Sequence, residues 1–291
     1  MAALRFVVLA PSKTFGTAHK PALAIAAAKA GAIGVLDLEG SATENISQSI
    51  NLCHKAAPRA DFGIRCRVGE LDFYLDDLSP ELKLGLVILC AGPNGYQKKE
   101  LKDAIARAQS KASLVAVEAV SLEEALMAEA NKCNVVILKG NESPGRVSQT
   151  TSFVLLQEAM SRLNTQVWVR GGIGRHTVRA LSVAGVEGCV LDNQLYMARD
   201  SFVDEAHKRF IAQMDGTESE EICDSVGEIQ RGVPGKNGEL LALGQDAAFA
   251  SSLSQDGVSV AGIIQILTQA SNVDNSDILR SDSPLAKAHK T

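Results

Sequence analysis

VWVRGGIGRHTVRAL, Val167–Leu181, decides the fold. A short apolar run ends in two glycines and passes directly into a helix-like run. That is a strand, a tight turn and a helix, and the question is how often the chain repeats the pattern. Short apolar runs recur at RFVVLA (5–10), AIGVLDL (32–38), FGIRCRV (62–68), LGLVILC (84–90), LVAVEAV (114–120), NVVILKG (134–140), VWVRGG (167–172) and GCVLDN (188–193). Val, Ile and Leu dominate and polar residues hardly alternate with them. Strands buried on both faces read this way, which points to a parallel sheet. Helix-like segments lie between them, the clearest being PALAIAAAKAGA, SLEEALMAEANKC, TTSFVLLQEAMSRL and RHTVRALSVAGV. Ser121 has the position of an N-cap and Glu124 that of its capping-box partner. Eight strand–helix units in fewer than 200 residues predict an α/β fold, a closed (β/α)8 TIM barrel, over an open doubly wound sheet.

The barrel is expected to span 1–205. Residues 206–272 read as a helical and irregular extension packing on or beside it, with one amphipathic helix in SVAGIIQILTQA. Residues 273–291 read as a polar linker or tail.

Composition narrows the function. The chain has 291 residues and a net charge of −5, and no basic block stands out, so nucleic acid and anionic membrane are not expected partners. One Trp and three Tyr are too few for base-stacking platforms. The N-terminal apolar run is too short for a signal peptide, and no stretch is long enough to span a membrane. Six cysteines with no CxxC spacing read as reduced thiols of a cytoplasmic protein, and no metal site is expected.

In such barrels ligands sit at the C-terminal ends of the strands, and phosphate often binds after strands seven and eight. Gly171 and Gly172 close strand seven, where exposed N–H groups could cup an anion. The alternative is that glycine only supplies the positive φ of a short turn. Strand eight ends Asp192-Asn193-Gln194, and a carboxylate facing a phosphate dianion is unfavourable. Asp192 therefore turns away, hydrogen-bonds a hydroxyl of the ligand, or marks a cup that no longer holds phosphate. Glu118 and Lys139 sit at strand ends, as site residues or as an internal pair that supports the barrel. Arg170 precedes the glycine pair, and Glu142 is a candidate partner for it. Arg146 is a candidate anion ligand or a loop salt bridge. His176 is a candidate phosphate contact or an exposed helix start. Lys13 and His19 fall in the loop after strand one.

With these residues in view, a resemblance is clear. PALAIAAAKAGAIGVLDLEG, GNESPGRVSQTTSFVLLQ and VWVRGGIGRHTVRALSVAGVEGCVLDNQLYMARDS resemble, in order along the chain, segments of the nitronate monooxygenases and related FMN-dependent enoyl reductases. NESPGRVSQTTSFVLLQ, VLDNQLYMARDS, IAQMDGTE and LALGQDAAFASSL also look like the flavoprotein-like region of multidomain polyketide or polyunsaturated-fatty-acid synthases. The resemblance implies an FMN cofactor, an acyl thioester or small carbanionic substrate, and neighbouring synthase modules as partners. It implies cofactor contacts from Pro11, Ser12, Glu118, Lys139, Arg170, Gly171, Gly172, Asp192, Asn193 and Gln194, and chemistry near Arg146, Lys139 and Glu142.

The sequence also departs from the family. Arg146 stands where the monooxygenases place a histidine, and a guanidinium cannot act as a base near neutral pH. Pro11-Ser12 replaces a Pro-Met pair, and Asp192-Asn193 replaces a Gly-Thr pair. Three readings follow: a flavin oxidoreductase, a degenerate non-catalytic barrel that serves as a docking module, and a phosphate-ligand enzyme without flavin.

Overall fold

The structure, a computed structural model, describes residues 4–11, 21–39, 46–58, 61–79, 81–92, 94–223, 227–235 and 239–272. Ser12, Lys13, His19 and the expected tail 273–291 lie outside the described residues.

Eight parallel strands close into a barrel. They are β1 (Arg5–Ala10), β2 (Ile33–Asp37), β3 (Phe62–Arg67), β4 (Leu84–Cys90), β5 (Ala112–Ala119), β6 (Val135–Lys139), β8 (Gln166–Arg170) and β9 (Gly188–Leu191). Closure is made by β9 on β1, where Phe6 is in register with Cys189 and Val7 with Val190. The helices are α1 (Ala22–Lys29), α2 (Ile46–Ala56), α3 (Leu71–Asp76), α4 (Lys98–Gln109), α5 (Leu122–Ala130), α6 (Ser152–Met160) and α7 (Thr177–Val183). The expected cap of α5 is present, with Ser121 Oγ accepting from Glu124 N at 3.3 Å. The Glu124 carboxylate reaches Val120 N at 3.0 Å, one residue before the cap.

The strands are buried on both faces, as their continuous apolar runs require. Outward residues such as Val8, Ile64, Val87, Val117 and Val169 pack beneath the helices. Inward residues, among them Leu9, Val35, Ile88, Ala116, Ile137, Trp168 and Val190, fill the barrel. Side chains alternate with period two along a strand, so the next inward positions after Val35, Ala116, Ile137, Trp168 and Val190 are Asp37, Glu118, Lys139, Arg170 and Asp192. Arg65 occupies the same level on β3. The apolar core thus gives way to charge at the C-terminal mouth.

Residues after the barrel add α8 (Glu205–Ile211), α9 (Phe249–Leu253) and α10 (Val260–Ser271). They also add strands that the sequence reading did not include. β11 (Ile229–Pro234) pairs antiparallel with β10 (Glu220–Cys223), with β12 (Leu240–Leu241) and with β7 (Gly145–Val147) in the loop after β6. Gly145, Gln230 and Ala242 line the cavity at the mouth, so this small sheet stands over it. Tyr196, Ile211, Met214, Leu243, Ala247 and Ala250 form its own apolar cluster. No helix among the described residues is long and apolar enough to cross a membrane.

Candidate functional site

The mouth of the barrel is a chain of alternating charges. Arg65 Nη1 donates to Asp37 Oδ1 at 2.9 Å and to Glu39 Oε2 at 2.6 Å. Its Nη2 donates to Glu118 Oε2 at 2.8 Å. Glu118 Oε1 accepts from Arg170 Nη1 at 2.6 Å, and Arg170 Nε and Nη2 both donate to Asp192 Oδ2, at 2.9 and 2.8 Å. Both carboxylate oxygens of Glu118 are therefore engaged by guanidinium groups. Burial alone would raise the Glu118 carboxyl, yet Arg65 and Arg170 hold it well below the usual carboxylate range. Glu39 is lowered to about 2 against the same burial, chiefly by Arg65 and then by Lys139.

Lys139 is 2% exposed and stands among these groups. Burial, then the Arg170 guanidinium, lowers its ammonium to about 8, while Glu118 acts the other way. The cavity above, about 240 Å3, is walled by Asp37, Glu39, Arg65, Arg170 and Asp192, with Leu9 and Pro11 at one side.

The structure shows the partners of two residues whose roles the sequence left open, and the Arg146 salt bridge is one of the alternatives it offered. Arg170 does not pair with Glu142; it is held by Glu118 and Asp192. Arg146 is no open anion ligand. It bridges Glu124 Oε1 at 2.6 Å and Glu228 Oε1 at 3.0 Å, tying the small sheet to α5.

The glycine pair has a positive φ at both residues, +111° at Gly171 and +66° at Gly172. A Cβ on Gly171 would lie 2.8 Å from Ser143 Oγ, so both the turn and the approach require glycine. Within the glycine pair, the N–H of Gly172 is engaged by the chain itself. Gly172 N donates to Asp246 Oδ1 at 2.6 Å. Glu142 accepts from Ser152 N, at 3.0 Å to Oε2, and from Ser152 Oγ at 3.1 Å, so it supplies the negative charge that the start of α6 favours. Asp192 turns away from the pair toward Arg170, and its Oδ1 accepts from Asn193 N at 2.6 Å.

Asn193 and Gln194 are bound inward. Asn193 Oδ1 accepts from Gly244 N at 2.7 Å, and Gln194 Oε1 accepts from Asp192 N at 2.8 Å. A Cβ on Gly244 would fall 2.4 Å from the Glu142 carbonyl oxygen, which fixes how closely residues 242–246 approach the loop after β6. The cup as it stands does not fit the phosphate of FMN: Gly172 N and Asn193 N already donate to carboxyl groups, and the Glu142 carboxylate lies beside both glycines, where it would face the dianion.

Asp246 is fully buried. Burial, then the neighbouring Asp192, pushes its carboxyl well above the usual range, although the Gly172 N–H opposes this. A raised carboxyl loses stability as pH climbs past its unfolded value, near 3.8, because the unfolded chain ionises first. Asp246→Asn keeps the acceptor and removes that ionisation. It is expected to raise the melting temperature at pH 7 by about 2–4 °C, with the gain shrinking toward pH 4, as read by calorimetry at both pH values.

His176 is exposed at the N-cap of α7. The sequence reading missed Asp37, Glu39, Arg65 and Asp246. Asp37 and Arg65 were visible by the rule that singled out Glu118 and Lys139, a charge near the end of a barrel strand. Asp246 carried no such signal, because it arrives from 74 residues beyond Gly172.

No protein-family model matches the chain, and no curated protein matches it. Solved structures do. It is similar to FabK from Thermotoga maritima, with a TM-score of 0.78 at 18% identity, over 96% of each chain. It is similar to nitroalkane oxidase from Streptomyces ansochromogenes, with a TM-score of 0.65 at 20% identity, over 91% of this chain and 95% of that one. It is also similar to the enoyl reductase domain of MlnA from the macrolactin biosynthesis cluster of Bacillus amyloliquefaciens, with a TM-score of 0.57 at 13% identity, over 94% of this chain and 71% of that one. The chain has the (β/α)8 barrel fold of these proteins.

Proposed function

We propose that this protein is a barrel of the nitronate monooxygenase and enoyl reductase architecture that works as a structural module beside synthase partners, without turning over flavin. The observation that carries this reading is the 2.6 Å hydrogen bond from Gly172 N to Asp246 Oδ1, which engages a donor of the anion cup from within the chain. The charge chain supports it, since Arg65, Glu118, Arg170 and Asp192 are spent on one another. The likeness to a domain from a macrolactin cluster supports the synthase setting. The closed cup also counts against a phosphate-ligand enzyme without flavin.

A second reading is an FMN-dependent oxidoreductase acting on an acyl thioester or a small carbanion. Its support is the fold shared with FabK and nitroalkane oxidase. Titration of FMN into the purified chain, followed by flavin fluorescence, separates the two. No saturable quenching is expected, and the protein should purify colourless. A yellow protein, or saturable quenching at micromolar FMN, would overturn the structural reading in favour of the oxidoreductase.

A further inference from the structure

A cavity of about 350 Å3 lies outside the barrel between α7 and α10, lined by Arg175, His176, Arg179, Ile266, Gln269 and Ala270. It is separate from the mouth and from the glycine cup. Among the described residues, neither Arg175 nor Arg179 has an ion pair, and no acidic residue lines the cavity. Arg175 lies in the turn before α7 and Arg179 in that helix, and both line the same cavity. Arg179 Nη2 is buried and has no hydrogen-bond partner among the described residues. A buried guanidinium N–H without an acceptor is costly, and an oxyanion would supply one. Two guanidinium forks suit a group that presents several oxygens around one centre. The imidazole of His176 and the amide of Gln269 add nitrogen donors at the rim. Ile266 and Ala270 give an apolar side that a bare inorganic ion would leave unused.

We infer that this cavity binds a phosphate monoester, with Arg175 and Arg179 holding the phosphate oxygens and the ester carbon lying toward Ile266 and Ala270. The inference does not rest on the structural-module reading, because the cavity shares no residue with the cup or the charge chain.

The test is isothermal titration of the full chain with inorganic phosphate and with glycerol phosphate at low ionic strength. Saturable binding is expected for both, with the ester tighter. Arg175→Ala and Arg179→Ala should each weaken it about tenfold, the loss of roughly one charge-assisted hydrogen bond. Arg→Lys at both positions should fold normally and recover only part of the affinity. Arg162→Glu with Arg209→Glu serves as a charge control, and Asp246→Asn as a control for the cup. An equal loss in the charge control would mean diffuse attraction and overturn the assignment. A change in affinity with Asp246→Asn would place the phosphate at the cup and overturn it equally, as would the absence of saturable binding.

Discussion

Glu118→Ala is expected to destabilise the fold by about 3–5 kcal/mol, the usual cost of removing one partner from a buried ion pair. Glu118 is the shared acceptor of Arg65, at 2.8 Å, and Arg170, at 2.6 Å, and all three side chains are at most 4% exposed. Its loss leaves two guanidinium groups facing each other across the barrel with an acceptor missing from each. Asp37, Glu39 and Asp192 still hold their outer edges, so unfolding should remain cooperative. A urea denaturation series checks this: the midpoint should fall while the slope stays close to wild type. Glu118→Gln, which keeps the shape and one acceptor oxygen, should lose less. The pH dependence has a definite sign. A carboxyl held below its unfolded value of 4.5 gives stability that is present above that value and lost as pH falls. Glu39 adds to this loss as pH falls from 4.5 through about 2. The wild type should therefore weaken steeply below pH 4.5, and Glu118→Ala more gently. A loss under 1 kcal/mol, or an unchanged acid limb, would refute the role given to the chain of charges.

Lys139→Met should move stability the other way. Burial and Arg170 lower the ammonium from 10.5 to about 8, so at pH 7 the folded state carries a charge that its surroundings disfavour. The unfolded chain binds more protons than the folded one between pH 8 and 10.5, and stability of the wild type rises with pH across that window. Methionine fills a similar volume without charge. It should stabilise the protein at pH 7 by on the order of 3 kcal/mol, the free energy of a shift of this size. The gain should vanish by pH 10.5. Thermal unfolding of both proteins at pH 7 and pH 10.5 makes the comparison. Destabilisation at pH 7 would mean that attraction to Glu118 and Glu39 outweighs burial.

The barrel was legible because it is a local, repeated pattern. Each strand is an apolar run bounded by turn residues, and its partners on the sheet are the next runs along the chain. The pairing of Val7 with Ile33 or Leu86 with Leu114 needs nothing else. Glu118, Lys139, Arg170 and Asp192 were legible as charges at strand ends, but their partners were not. Which guanidinium meets which carboxylate depends on the stagger of the strands around the barrel, and that brings Arg65 to Glu118 across 53 positions. β10, β11 and β12 were missed for a related reason. They are short, polar on one side and completed by β7 from a distant loop, so no run of sequence holds their pattern.

The hydrogen bond from Gly172 to Asp246 also has a competitive meaning. A group delivered by the same chain acts at an effective concentration in about the millimolar range or above when the linkage spans the distance well. It loses no translational freedom on binding. Any dissolved anion must displace this tethered rival before it reaches the Gly172 N–H. Displacing it would also lift Leu243 and Ala247, both fully buried, out of their apolar cluster. The cup thus carries its own inhibitor, whose dose never changes with the composition of the surroundings.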